Sequence, residues 1–134
     1  MRTRLGLALM AAIAVSGAAS PVAPPGAPAT PVVLHLSNFR FGPKMLFLKR
    51  GQDYTLTLAS DGGAHSFFAP AFFAQARVAP AERALIDPAR GIEVPSRGAI
   101  TLHLTAPMQP GRYRFKCTHA LHNLMGMNGE IVVR

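Results

Sequence analysis

The chain has 134 residues, a formal net charge of +8, one cysteine and no tryptophan. Its basic residues are scattered without a run of five or more, so the charge does not indicate a nucleic-acid-binding protein. A single cysteine excludes an internal disulfide, and with it a small scaffold stabilised by disulfides.

The N-terminal segment, residues 1–19, is typical of a secretory signal peptide. Two arginines precede the uncharged apolar run of residues 5–15, and small residues follow it. This run is too short to span the roughly 30 Å hydrocarbon core of a bilayer, so we predict an exported protein without a membrane span. We place the cleavage after Ala19, with Ala18 as the alternative, and expect a periplasmic or secreted location.

Residues 20–31 contain five prolines together with alanine and glycine, and they show no apolar periodicity. This composition predicts an extended linker rather than part of a core. The folded domain is then expected over residues 32–134, about one hundred residues, which suffice for one small core. Removal of the signal peptide takes away Arg2 and Arg4 and lowers the formal charge to +6. The remaining diffuse positive charge favours an acidic partner or an anionic surface.

The first part of the predicted domain alternates between apolar and polar residues with a period of two. Residues 32–37 and 54–59 show the pattern most clearly, with apolar side chains on one face of each predicted strand. An apolar run at residues 45–48 lies between them. The turn sequence SDGG follows the strand at 54–59, which places His65 directly after a turn.

Residues 67–90 interrupt this alternation with three prolines and two alanine-rich pieces. Phe72, Phe73 and Ala76 have helical spacing, which predicts one short helix near residues 71–77. We expect the phenylalanines of this segment to contribute to the core and to line the site.

Alternation returns in residues 92–104 and continues through strands near 113–117 and 131–133. Short strands at intervals of about ten residues, with one weak helix, predict an all-β fold, an antiparallel sandwich or barrel. His35 and His103 fall on the polar phase of their strands, so we expect both at the surface.

The last quarter of the chain places three potential metal donors at equal intervals. His122 lies five residues after Cys117, and Met127 lies five residues after His122, all in the loop before the final strand. A mononuclear electron-transfer copper takes two histidines, one cysteine and a weak axial methionine. The best candidate for the second histidine is His65, and Met125 competes with Met127 for the axial position.

Several segments together resemble the cupredoxins, the blue copper family of plastocyanin, azurin and rusticyanin. They are FRFGP, the glycine of KRGQDYTLTL, the histidine of GGAHSFF, the PGRYRFKC strand and HNLMGMNGEIVV. The resemblance covers residues 32–134 and implies a Greek-key β-sandwich with one type 1 copper. It implies His65, Cys117 and His122 as equatorial ligands and Met127 as the long axial ligand. Hydrogen bonds from the loop backbone to the sulfur are expected to tune the potential.

Other kinds of site fit these residues less well. A binuclear copper centre of the same fold needs a second cysteine four residues after the first, where this chain has Leu121. Structural zinc prefers two to four thiolates. A nucleophilic cysteine needs an orienting acid or amide besides a base such as His119 or His122. We interpret His119 as a neighbour of the site and not as a ligand.

The function predicted from these features is that of a one-electron carrier. Its partner would be a redox protein such as a cytochrome or an oxidase, acidic by charge complementarity, and we expect a monomer that binds no nucleic acid. The alternative is a periplasmic copper-binding protein for tolerance or delivery, with His119, Met125 and Met108 as additional donors. An enzyme is not expected, since five histidines without a paired motif do not supply the clusters of a multicopper enzyme.

Overall fold

The computed structural model describes residues 27–134. The predicted signal peptide and residues 20–26 of the predicted linker lie outside the described residues. The first strand begins at Thr30, two residues before the predicted start of the domain. Within residues 27–134, no helix has the length and the apolar character that crossing a membrane requires.

Short strands dominate the described part of the chain, joined by three helices of one turn or little more. The strands are β1 (Thr30–Ser37), β2 (Arg40–Gly42), β3 (Met45–Leu48), β4 (Asp53–Ser60), β5 (His65–Phe67), β6 (Arg77–Val78), β7 (Ile92–Val94), β8 (Ala99–Thr105), β9 (Gly111–Lys116) and β10 (Asn128–Val133). The helices are α1 (Pro70–Phe73), α2 (Pro80–Arg83) and α3 (Ala120–Leu124). The prediction of an all-β fold is confirmed.

The described strands form three open sheets and no closed barrel. The largest has the order β2-β1-β4-β8-β6, the second β3-β10-β9, and the third pairs β5 with β7. The pairs β1–β4 and β3–β10 are parallel, where an antiparallel arrangement was expected. Alternation of apolar residues shows which side of a strand is buried, but it carries no information about the direction of the neighbouring strand.

The buried apolar side chains form one contiguous core. Alternate residues of the strands contribute to this core as predicted, since Tyr54, Leu56 and Leu58 of β4 are all buried. His35 and His103, which the pattern placed on the polar phase, are exposed. The predicted register of the strands relative to the core is therefore confirmed at these positions.

Three phenylalanines at one end of the core support the strands that carry the predicted ligands. The ring of Phe115 lies 4.9 Å from that of Phe41 and 5.0 Å from that of Phe67, between centroids. Such aromatic pairs contribute about 0.5–1.5 kcal/mol each beyond the burial of their area. Phe67 lies two residues after His65, and Phe115 two residues before Cys117, so each pair shares one face. The aromatic cluster therefore anchors both donors to the core.

The segment between β5 and β7 contains two short helices instead of the single helix predicted near residues 71–77. Pro70 starts α1 and Pro80 starts α2, at the first helical position, where the N–H that proline lacks is not needed. Helices of four residues are too short to produce a periodic pattern in the sequence, and α3, with five residues, was not predicted for the same reason. Phe72 and Phe73 are buried in the core, as expected.

Candidate metal centre

Three separate elements bring His65, Cys117 and His122 together. His65 begins β5, Cys117 directly follows β9, and His122 lies in α3. Two backbone hydrogen bonds between Phe68 and Lys116, 2.9 and 3.1 Å long, tie the end of β5 to the end of β9. One donor atom from each of the three side chains lies within 4.8 Å of the other two. The fold therefore assembles three of the four predicted ligands at one point.

The atoms that converge are the Nδ1 atoms of two imidazoles and one sulfur. Nδ1 of His65 lies 3.0 Å from Nδ1 of His122, which in turn lies 3.5 Å from Sγ of Cys117. His65 and Cys117 have no solvent-exposed surface, whereas His122 is partly exposed. One thiol and two imidazoles around one point fit a mononuclear copper better than structural zinc, which takes more thiolates.

The surroundings of His65 favour its neutral form. Burial lowers the pKa of His65, and the neighbouring His122 and His119 lower it further, while the Glu93 carboxylate opposes them. Metal binding requires a neutral imidazole with a free lone pair. Burial therefore keeps His65 in the form that can act as a ligand.

Ser66 provides a hydrogen bond to the sulfur of Cys117. Its backbone N–H donates to Sγ across 3.4 Å, and its hydroxyl oxygen lies 3.7 Å from Sγ. The hydroxyl oxygen also accepts the backbone N–H of Thr118 across 2.7 Å. The expected donors to the sulfur were in the loop after Cys117, whereas this donor comes from β5. Ser66 belongs to the GGAHSFF motif, but its contact with the sulfur was not predicted, because only the position of β5 beside β9 creates that contact.

Met127 lies inside the protein, and its backbone connects two of the predicted ligands. Its N–H donates to the carbonyl of His122 and its carbonyl accepts the N–H of Cys117, each across 3.0 Å. Met127 is fully buried, whereas Met125 is 64% exposed. The backbone therefore holds Met127 next to the donor cluster, and Met127 stays our prediction for the axial ligand.

His119 packs beside the donor cluster and pairs with Glu93. Its ring stacks on that of His122 with 5.4 Å between the centroids and lies 6.5 Å from that of His65. Its Nε2 lies 3.0 Å from a carboxylate oxygen of Glu93, which is opposite Ser66 in the β5–β7 pairing. The sequence did not indicate Glu93, since its place depends on that pairing. In this arrangement His119 supports the ring of His122 from outside the cluster.

One exposed apolar side chain contacts His122, and two more are close to it in the chain. The ring of Phe39 meets the ring of His122 edge-on, with 5.3 Å between the centroids. Phe39, Leu121 and Leu124 are all exposed, and we call these three residues the apolar rim. His122 is the one member of the three-residue cluster that is partly exposed, so the cluster approaches solvent at the ligand that Phe39 contacts.

No family model and no curated protein matches this chain by sequence, but solved structures match it by fold. Dithionite-reduced auracyanin from the photosynthetic bacterium Roseiflexus castenholzii has 21% identity and a TM-score of 0.55, over 79% of this chain and 98% of that chain. Auracyanin B has 18% identity and a TM-score of 0.56, over 81% of this chain and 91% of that chain. A chain of a heme-copper terminal oxidase dimer has 13% identity and a TM-score of 0.55, over 79% of this chain and 65% of that chain.

Auracyanins are cupredoxins, and the two alignments extend over most of both chains. The described domain therefore has the cupredoxin fold, which confirms the resemblance inferred from the sequence motifs. A structural match at such low sequence identity establishes the fold alone, and one fold can carry different functions, so a function has to be argued from the donor cluster.

Proposed function

We propose that this chain, a domain with the cupredoxin fold, is an exported electron carrier that holds one type 1 copper. In this proposal His65, Cys117 and His122 are the equatorial ligands and Met127 is the axial ligand. The observation that carries it is the convergence of two Nδ1 atoms and one buried sulfur within 4.8 Å. Bound copper supplies a one-electron change between Cu(II) and Cu(I).

The chemistry of the donors favours copper. A thiolate and a thioether are soft donors that suit Cu(I), and imidazole suits both oxidation states of copper. Hard cations such as Mg²⁺ prefer oxygen ligands, and the donor cluster found in residues 27–134 contains no carboxylate. The donor set therefore suits copper in both of its oxidation states, Cu(I) and Cu(II).

The protein around the donors supports electron transfer in two ways. His65 and Cys117 are held by β5 and β9 against the aromatic core, so the donors move little when the charge of the ion changes. Exposed apolar patches mark sites of protein association, and Phe39 of the apolar rim contacts the partly exposed ring of His122. A partner bound at the rim would sit next to a ligand of the copper.

The alternative role in copper tolerance or delivery is not favoured by the position of the thiol. Copper exchange with a partner is easiest through accessible donors, and Cys117 has no exposed surface. His119, one of the additional donors, is already paired with Glu93. Both observations favour the electron carrier over a copper-delivery protein.

The proposal also includes a redox partner such as a cytochrome or an oxidase, and it includes no enzymatic activity. We further propose that the protein is a monomer and that the predicted signal peptide directs its export.

An optical spectrum with added Cu(II) tests this proposal. We expect one copper per chain and an intense visible band from charge transfer between the Cys117 thiolate and copper. Cys117→Ser should abolish the band, while His35→Ala, at an exposed histidine outside the cluster, should leave it unchanged. Binding of one copper without a visible band would contradict the proposal.

A further inference from the structure

A recess of about 750 Å³ lies on the outer face of the β3-β10-β9 sheet, and its lining includes the chain neighbours of two proposed ligands. Its lining includes Lys44, Phe68, Arg114, Lys116, Asn123 and Glu130. We propose that this recess, called the cationic recess below, docks a protruding acidic segment of the redox partner. The inference rests on the proposed function, because it names the place where the partner of an electron carrier binds.

Strand geometry produces the cationic wall of this recess. In β9 the apolar residues are buried while Arg114 and Lys116 are exposed, since alternate residues of a strand take opposite faces. Arg114 is in register with Glu130 of β10. Lys44 directly precedes β3, and its carbonyl accepts the N–H of Glu130 across 3.0 Å. Residues from three different parts of the chain therefore share one wall.

The charges of the cationic recess do not cancel. Glu130 is the only carboxylate among its lining residues, and it accepts a 2.6 Å hydrogen bond from Arg112, which lies outside the lining. Nε of Arg114 lies 3.9 Å from the other oxygen of Glu130, and the Arg114 side chain is 90% exposed. Neither Lys44 nor Lys116 forms an ion pair within residues 27–134. The recess therefore keeps a net positive charge.

The cationic recess has an apolar side and adjoins the ligand loop. Phe68 contributes an aromatic surface, with the ammonium of Lys116 5.7 Å from the centroid of its ring. Lys116 directly precedes Cys117, and Asn123 directly follows His122. The lining of the recess therefore belongs in part to the two chain segments that carry Cys117 and His122.

Shape and charge together favour an acidic protein segment as the occupant. Carboxylates that flank an apolar side chain complement cationic walls and an apolar side. A flat anionic bilayer does not fill a recess. The mature chain, without Arg2 and Arg4 of the predicted signal peptide, has a formal charge of +6. Its attraction to an acidic partner also speeds their encounter, and salt weakens this attraction.

The test uses the copper-loaded protein and a fluorescently labelled peptide in which glutamates flank leucines. A peptide with glutamine in place of glutamate is the uncharged control, and fluorescence anisotropy at low and high salt measures the affinity. The double variant Lys44→Glu with Arg114→Glu reverses two charges of the cationic recess. The matched variant Lys49→Glu with Arg77→Glu changes the net charge equally at residues outside the lining.

At low salt we expect the first double variant to weaken peptide binding about tenfold or more and the matched variant about twofold or less. Equal weakening by the two double variants, or equal affinity for the glutamine peptide, overturns the proposal. Binding to phosphatidylglycerol vesicles without peptide binding overturns it in favour of a membrane surface. The visible copper band is recorded for each protein, and its absence from the wild type contradicts the proposed function separately from the peptide result.

Discussion

The backbone N–H of Ser66 donates to Sγ of Cys117 across 3.4 Å and joins β5 to the start of the ligand loop. The Thr118 hydroxyl donates to the carbonyl of Arg90 across 3.0 Å, so its oxygen is free to accept the Ser66 hydroxyl at 2.7 Å. Each hydroxyl has one proton, so the Ser66 hydroxyl that donates to Thr118 cannot also donate to the sulfur. The backbone N–H of Ser66 is then the donor to Sγ of Cys117. The side chain of Ser66 therefore binds Thr118 at the start of the ligand loop, while its backbone N–H donates to the sulfur of Cys117.

Ser66→Ala should destabilise the protein without removing the copper site. The substitution keeps the N–H that faces the sulfur but leaves the backbone N–H of Thr118 without its acceptor, a loss of about 1–3 kcal/mol. Urea unfolding measures this loss in the free energy of unfolding. Ser96→Ala, which removes one exposed 2.6 Å hydrogen bond to Gly62, should change stability by less than about 0.5 kcal/mol. Similar losses in the two variants would argue against a special role for the Ser66 hydroxyl.

Met127→Leu should raise the reduction potential of the copper-loaded protein. Leucine offers no donor atom in place of the thioether, and Cu(I) accepts a lower coordination number than Cu(II), so the substitution favours reduction. Leucine is close to methionine in volume, so the core should tolerate it. Met125→Leu, at a side chain that is 64% exposed, should leave the potential unchanged in the same redox titration. A shift with Met125→Leu and none with Met127→Leu would reassign the axial ligand.

His119→Ala should retain one copper and the visible band. His119 stacks on His122 and pairs with Glu93 at 3.0 Å. The substitution therefore removes a residue that supports the ring of His122, but it leaves all the proposed ligands in place. His122→Ala should lose the band. Copper titration monitored by absorbance separates the two cases. A His119→Ala variant without a band would place His119 in the ligand set and disprove our interpretation of it as a neighbour.

Gly91→Ala should destabilise the pairing of β5 with β7 that positions His65. Gly91 has φ +85°, and a Cβ there would collide with the backbone carbonyl of Phe67. We expect a loss of about 1–3 kcal/mol from backbone strain, together with weaker copper binding. Gly62→Ala is the matched control, since a Cβ there meets nothing within 4 Å. Thermal unfolding and copper titration of both variants should show an effect for Gly91→Ala alone.

Acidification should remove a stabilising contact between α2 and β8. The backbone N–H of His103 donates to Glu82 across 2.6 Å, and this bond, with one to the imidazole at 2.7 Å, holds the pKa of Glu82 below its ordinary value. Because the folded pKa is the lower one, this stabilisation is present above the unfolded pKa and is lost as the pH falls through the folded pKa.

Glu82→Gln should therefore reduce the stability of the metal-free protein near neutral pH and make it less sensitive to acid in this range. Urea unfolding at a series of pH values measures both effects. Asp61→Asn is a matched control, because that carboxylate has one longer contact, 3.3 Å to His35. If the wild type and Glu82→Gln lost stability in parallel on acidification, Glu82 would not be the group responsible.

The strands were predictable because burial on one side of a sheet imposes a period of two on the residues. Leu56 and Leu58 of β4 show this directly, and both are buried. The partners of the strands were not predictable, since β1 and β4 pair in parallel across a long connection. The helices α1 and α2 were missed or misplaced because four residues do not complete a detectable repeat.

The amino-acid sequence by itself determined which donors we propose for the metal, through one cysteine with a histidine and a methionine at fixed intervals. Local spacing is enough there, because a single loop holds Cys117, His122 and Met127. Only the tertiary structure decided which groups surround those donors. Ser66 reaches the sulfur, and Lys44 joins Arg114 in one recess, through contacts between residues far apart in the chain. Such contacts depend on how strands pair, and strand pairing leaves no local mark in the sequence.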